Sequence, residues 1–152
     1  ASKLGDPQIV DARAAARFRG DAPEPREGLR AGHIPGARNV HYATLFNADG
    51  VMKSAEEMKV IFEAAGVDLE KPIVTSCGSG VTAAILSLAL ARIGHRKTAL
   101  YDGSWTEWGS AVGLPIVTVG LDWRVVGALT LRAEGGFYGI PYVGGALTYG
   151  AW

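Results

Sequence analysis

The chain has 152 residues, with 15 Lys and Arg against 15 Asp and Glu, and 48% of its residues are hydrophobic. This composition predicts a globular protein with a sizeable core and argues against wholesale disorder. The zero net charge, with no long run of like charge, argues against binding to nucleic acid or to an anionic membrane surface.

Cysteine usage and hydropathy restrict the class of protein further. The single cysteine excludes an internal disulfide and a cysteine-rich metal site, and it favours a reducing, cytoplasmic location. The longest apolar run, over residues 81–90, is too short to cross a bilayer. The chain does not open with a basic and then apolar stretch, so we expect no signal peptide. From the cysteine count and the short apolar run we also expect no metal site and no membrane contact.

The first half of the chain predicts a strand, a short helix, a long loop and a second helix. The apolar run "QIVDAR" (8–13) is typical of a buried strand, and "AAARFRG" (14–20) of a short helix. The Pro- and Gly-rich stretch 21–39 predicts a loop, and a loop this long in a compact domain is usually functional. A capping box opens a predicted helix over 54–66.

The next part of the chain repeats this alternation. The apolar run 72–77 predicts a buried strand, 80–94 a helix, 97–103 a third strand and "SWTEWGS" (104–110) a turn or short helix. Strands that alternate with helices predict a parallel sheet with helices on both faces. Binding sites in such sheets lie beyond the carboxyl ends of the strands.

Residues 111–152 differ in character from residues 1–110. Glycine is dense, and partial alternation of apolar residues predicts two or three antiparallel strands. We therefore divide the chain into a domain over 1–110 and a glycine-rich, β-like tail over 111–152. An edge hairpin, an oligomerisation arm and an unrelated fused segment all fit the tail, and its apolar strands allow self-association.

The only cysteine, Cys77, lies where a predicted strand ends and "GSGVT" leads into a helix. Glycines allow successive backbone N–H groups to turn inward and form an anion-binding nest. The helix adds its positive end, and such positions lower a cysteine pKa from about 8.5 to roughly 3.5–7.5. The pattern therefore predicts a nucleophilic thiolate, with a small buried hydrophobe as the alternative role for Cys77.

Several separated motifs resemble one family in the right order. They are "VDARAAARFRG" (10–20), "EPREG" (24–28), "AGHIPGARN" (31–39), "CGSGVT" (77–82) and "YDGSWTEW" (101–108). Together they resemble the C-terminal, catalytic domain of the 3-mercaptopyruvate sulfurtransferases, a branch of the rhodanese family. The resemblance implies a rhodanese-like parallel sheet flanked by helices.

The resemblance also implies a reaction. Cys77 would take a sulfur atom from 3-mercaptopyruvate as a persulfide, release pyruvate, and pass the sulfur to a thiol, thioredoxin or cyanide, without a cofactor. Backbone amides of the loop would hold the persulfide anion; these belong to Gly78, Ser79, Gly80, Val81 and Thr82.

Matched side chains give the remaining expected roles. Arg17 and Arg26 would bind the carboxylate and keto oxygen of the substrate, a task that suits the planar guanidinium. Ser79 would assist proton transfer together with a His and an Asp from a preceding N-terminal rhodanese domain. Since those two partners are not matched in this chain, we expect reduced turnover. His33 is expected to be packed, and His95 to lie on the surface.

Three alternatives remain open at this point. A thiosulfate sulfurtransferase would bring basic side chains to its loop, whereas this loop is uncharged. A cysteine phosphatase would need an arginine where this chain has Ala83. A catalytically weak rhodanese-like module that binds a partner is the third.

Overall fold

The computed structural model describes residues 6–118 and, beyond them, two strands. The elements are β1 (Gln8–Asp11), α1 (Ala15–Arg19), β2 (Arg38–Asn39), the 3-10 helix Tyr42–Leu45, α2 (Ala55–Ala64), β3 (Ile73–Ser76), α3 (Val81–Arg92), β4 (Thr98–Leu100), α4 (Ser104–Ser110), β5 (Ala128–Arg132) and β6 (Ala146–Gly150). The predicted alternation of strands and helices is therefore confirmed over residues 6–118, with α4 as a helix.

A parallel sheet in the order β2-β1-β3-β4 organises this part of the chain. Asp11 at the end of β1 is level with Ser76 at the end of β3, so the carboxyl ends of the central strands meet. Strand β2 was not predicted, because its two residues, Arg38 and Asn39, are polar and too few to show alternation. It forms by pairing with the edge of β1.

Alternate residues of β1 face opposite sides of the sheet, and each side carries a core. Val10 packs into a large cluster with residues of α2 and α3, among them Phe62 and Leu86. Ile9 lies on the other side, against a smaller cluster around Trp105 of α4. Helices therefore cover both faces, which confirms the predicted α/β architecture.

Local signals in the sequence account for where helices begin and end. The predicted capping box is present at α2, where Ser54 Oγ accepts the Glu57 N–H at 3.2 Å and the Glu57 carboxylate accepts the Ser54 N–H at 3.0 Å. The end of α4 has a cap from a distant residue. The Arg30 guanidinium donates to four carbonyl oxygens there, those of Trp108, Gly109, Ala111 and Leu114.

The tail contributes an antiparallel pair, β5 with β6, in which Leu129 is level with Tyr149. This agrees with the predicted antiparallel strands, and residues 119–127, 133–145 and 151–152 of the tail lie outside the described residues. The boundary after residue 110 stays a prediction, although Val117 bridges backbone to backbone with His33. Among the described residues, no helix is long and apolar enough to span a bilayer.

Candidate active site

Cys77 lies between β3 and α3, in a short turn that we call the cysteine loop (residues 77–80). The loop follows the carboxyl end of β3, and the first turn of α3 begins at Val81. Gly80 has φ +84°, and a Cβ there would lie 3.0 Å from the carbonyl oxygen of Asp102. Only glycine satisfies both the left-handed backbone and this close approach.

The Cys77 side chain is 1% exposed and lies at the end of the larger core cluster. The Ser79 N–H points at its sulfur, with an N–Sγ distance of 3.4 Å. Burial raises the pKa of the Cys77 thiol, but hydrogen bonds from the Thr82 hydroxyl and from the Ser79 and Ala83 amides lower the pKa further than burial raises it. The net effect is a thiol pKa below the ordinary value, which favours the nucleophilic thiolate.

The first residues of α4 hold the cysteine loop in place. Ser104 Oγ accepts the N–H groups of Cys77 and Gly80, both at 3.1 Å, and donates to the Tyr101 carbonyl at 2.7 Å. Because the Ser104 hydroxyl donates its proton to the Tyr101 carbonyl, the 4.0 Å contact between Ser104 Oγ and Cys77 Sγ is a weak one. The backbone N–H of Trp105 donates to the Cys77 carbonyl at 2.9 Å.

Ser104 was missed by the sequence analysis, which did not assign "YDGSWTEW" a site role. It is fully buried and has φ +48°, an uncommon conformation for a residue other than glycine. One feature of the sequence could have identified Ser104. Ser104 follows β4, the strand beside β3, and parallel neighbours end at the same edge of a sheet.

Arg26 reaches the cysteine loop through one intermediate residue. Its Nη1 donates to Thr106 Oγ1 at 2.7 Å, and Thr106 donates to the Gly78 carbonyl through its hydroxyl at 2.6 Å and through its N–H at 2.9 Å. The Arg26 residue is otherwise exposed. Its charge is therefore available beside the loop.

Arg17 approaches the same glycine from α1. Its Nη2 lies 3.1 Å from the position that a Cβ on Gly78 would take, so a side chain there would crowd the guanidinium. Arg17 is paired with Glu24 and its side chain is 27% exposed. The structure thus brings both predicted arginines to the cysteine loop from separate segments of the chain.

The other predicted site residues lie on the loop and the first turn of α3. Ser79 and Val81 are exposed and border the opening of the cysteine loop, which we call the loop mouth, and Thr82 is half-buried. The Gly80 amide donates to Ser104, whereas the Ser79 amide faces the sulfur. The roles of these residues in holding an anion stay predictions.

Among the described residues, the groups that hydrogen-bond to the Cys77 sulfur include no histidine. His33 is buried and stacked on Phe18, with its Nδ1 2.8 Å from the Phe18 carbonyl oxygen, so the expected packed role is confirmed. Burial lowers the pKa of His33. The surface position expected for His95 is wrong, because the ring is half-buried and its Nδ1 lies 2.9 Å from the Leu69 carbonyl oxygen.

The family model described as the rhodanese-like domain matches residues 1–111. The chain belongs to the rhodanese-like domain family. This rhodanese-like domain is 50% identical over 119 residues to a 3-mercaptopyruvate sulfurtransferase of Escherichia coli strain K12, over 78% of this chain and 42% of that protein.

Two further relatives agree. Thiosulfate/3-mercaptopyruvate sulfurtransferase 2 of Arabidopsis thaliana is 52% identical over 110 residues, which is 72% of this chain and 32% of that protein. The crystal structure of SseA from Escherichia coli, described as a 3-mercaptopyruvate sulfotransferase, superposes with a TM-score of 0.55 at 49% identity, over 65% of this chain and 36% of that chain. The rhodanese-like domain therefore spans less than half of each of these relatives.

Proposed function

We propose that this rhodanese-like domain is a sulfurtransferase that takes sulfur from 3-mercaptopyruvate on Cys77. The observation that carries the proposal is the cysteine loop itself: a buried thiol with a lowered pKa, flanked by Arg17 and Arg26. Relatives that are 50% and 52% identical over 119 and 110 aligned residues are named 3-mercaptopyruvate and thiosulfate/3-mercaptopyruvate sulfurtransferase, which supports this class of reaction.

The loading step is a nucleophilic attack on sulfur. The Cys77 thiolate attacks the sulfur of mercaptopyruvate, the carbon–sulfur bond breaks, and its electron pair leaves as the enolate of pyruvate. A proton then reaches the carbon and completes pyruvate, while the sulfur remains on Cys77 as a persulfide. Ser79, exposed at the mouth of the loop, is the residue of this chain that we propose to assist that proton transfer.

The loop then stabilises the product anion. A persulfide extends from Cys77 toward the loop mouth, where the Ser79 N–H and the first turn of α3 supply partial positive charge. A thiol, a thioredoxin or cyanide attacks the outer sulfur, takes it, and returns Cys77 to a thiolate. We expect the acceptor to approach the outer sulfur beside Ser79 and Val81, which are exposed.

Charge favours mercaptopyruvate over thiosulfate as donor. Arg17 is paired with Glu24, whereas the Arg26 guanidinium donates a hydrogen bond to the uncharged Thr106 and forms no salt bridge among the described residues. The loop residues Gly78 and Ser79 carry no charge. One unpaired cation suits a donor with a single carboxylate better than a dianion, because the single positive charge then balances the single negative charge. Thiosulfate remains the second candidate, supported by the Arabidopsis relative's name.

Intact-protein mass spectrometry tests the proposal directly. After brief exposure to mercaptopyruvate, we expect the protein to gain the mass of one sulfur atom and to lose it on treatment with cyanide. Cys77→Ser should gain none. A folded wild-type chain that gains no sulfur from mercaptopyruvate or from thiosulfate would contradict the proposal and favour a partner-binding module.

A further inference from the structure

Glu24 lies between two arginines, and the sequence analysis gave it no role. Its carboxylate is 1% exposed. Oε1 accepts from Arg13 Nη1 at 2.8 Å, and Oε2 accepts from Arg17 Nη2 at 2.5 Å. A buried carboxylate with a cation on each oxygen holds a fixed orientation, since charge-assisted hydrogen bonds are short and strong.

Arg13 anchors this pair from the interior. Its side chain is 1% exposed, and its Nε and Nη2 donate to the Asp11 carboxylate at 3.0 and 2.7 Å. Nη2 also donates to the Gly32 carbonyl at 2.9 Å, and the guanidinium lies 4.4 Å from the centre of the Trp105 ring. Glu24 is thus held from the core side by a buried residue that is itself fastened by several contacts.

Arg17 is different, because its side chain is partly exposed and would otherwise turn into solvent. Its place beside Gly78 depends on the Glu24 carboxylate. We propose that Glu24 is the positioning residue of the site: it holds the Arg17 guanidinium beside the cysteine loop and neutralises its charge. This inference rests on the proposed function.

The charge balance around the loop gives the inference a consequence for donor choice. Asp11 and Glu24 carry two negative charges against the two positive charges of Arg13 and Arg17, so this cluster is neutral. Arg26 lies outside this neutral cluster, so its positive charge is the one that acts on a donor beside the loop. Glu24 therefore makes the site selective for donors with a single carboxylate over dianions.

Glu24→Gln tests this inference. The amide cannot accept hydrogen bonds on both sides, so one arginine meets an N–H donor in place of an oxygen, and the cluster gains a positive charge. We expect the rate of Cys77 loading by mercaptopyruvate to fall about tenfold or more, since misplaced substrate contacts are costly. Loading by thiosulfate, which is favoured by added positive charge, should fall less.

Asp21→Asn is the matched control. Asp21 lies close by in the chain and pairs with Arg19 of α1 at 2.7 Å, but both side chains are about half exposed, at 42% and 52%. The control makes the same change of charge away from the loop, and we expect rates within about twofold of wild type. Equal losses with both donors in Glu24→Gln, or no loss, would overturn the inference.

A binding measurement separates this inference from the proposed function. Pyruvate should protect Cys77 from iodoacetamide, and Glu24→Gln should weaken that protection about tenfold. In an Arg17→Ala background, Glu24→Gln should have no further effect, whereas a merely structural role would still lower protection. If the wild type gains no sulfur but pyruvate protection follows this pattern, the proposed function fails and the positioning role stands.

Folding of the variant is checked by thermal unfolding. Glu24→Asp serves where Glu24→Gln does not fold, because it keeps the charge for Arg13 but is too short to bridge both arginines. It should lose pyruvate protection as well. Full protection by pyruvate in a folded Glu24→Asp or Glu24→Gln protein would contradict the positioning role.

Discussion

At the scale of single residues, the reactivity of Cys77 is a balance between burial and hydrogen bonding. Burial raises the pKa of the Cys77 thiol, and the Thr82 hydroxyl is the strongest of the contacts that lower it. The thiolate is the reacting form, so alkylation is fast above the thiol pKa and is lost as the pH falls through it. A variant with a higher thiol pKa should lose reactivity at a higher pH.

Thr82→Val removes that hydroxyl while it keeps the shape of the side chain. We expect the midpoint of the pH profile for iodoacetamide alkylation to rise by about half to one pH unit, the size of one hydrogen bond. Thr98→Val is the control, because Thr98 Oγ1 is buried without a hydrogen-bond partner in the described structure. An unchanged midpoint in Thr82→Val would show that the Thr82 hydroxyl does not lower the thiol pKa.

Single residues also show what the sequence could and could not predict. Cys77, Arg17 and Arg26 stand in motifs, and their convergence on one loop follows from the ends of parallel strands. Ser104 hydrogen-bonds to residues 24 and 27 positions away, whereas Glu24 pairs with residues 7 and 11 positions away. In neither case does a local pattern mark a buried carboxylate or a buried hydroxyl as an organiser. Their roles needed the structure.

At the scale of elements, the turn from β3 into α3 holds Cys77, the proposed nucleophile. Gly80 is the N-cap residue immediately before α3 and has φ +84°, and Gly94 follows the end of the same helix with φ +89°. The two positions share a left-handed backbone but differ in their surroundings. A Cβ on Gly80 would lie 3.0 Å from Asp102 Oδ1, whereas a Cβ on Gly94 would have open space.

Alanine at each glycine separates backbone strain from the close approach. Gly94→Ala should lower the free energy of unfolding by about 1 kcal/mol, the cost of a left-handed alanine. Gly80→Ala should cost more, about 2 kcal/mol or above, because Asp102 must also shift. Urea unfolding of both variants measures these free energies. Equal decreases would show that Asp102 shifts at no energetic cost. We also expect slower loading of Cys77 in Gly80→Ala alone.

Elements with their own signals were predicted, and elements that exist through pairing were not. The apolar runs of β1 and β3 and the caps of α2 are local features of the sequence. Strand β2 and the 3-10 helix Tyr42–Leu45 lack such features. They form where the returning chain meets the sheet, as when the Val40 N–H donates to the Asp11 carbonyl and the Tyr42 N–H to the Ala12 carbonyl.

At the scale of the whole molecule, we expect local charge to attract an anionic donor to the site. The chain has a net charge of zero, so no overall field steers a carboxylate to Cys77. Arg26 lies at the carboxyl edge of the sheet beside Thr106, whereas Arg96 lies exposed before β4, at the opposite edge. The two arginines differ in position and not in charge, so they form a matched pair.

Arg26→Ala should slow loading of Cys77 by mercaptopyruvate about tenfold or more, the cost of one hydrogen bond to a charged group. It should also remove most of the decrease in rate that added salt causes in the wild type, since that decrease reflects screening of an exposed cation. Arg96→Ala makes the same change in net charge, and it should keep both the rate and its dependence on ionic strength. Equal effects of the two substitutions would mean that anions are attracted by the molecule as a whole, and the local charge argument for a single-carboxylate donor would then lose its basis.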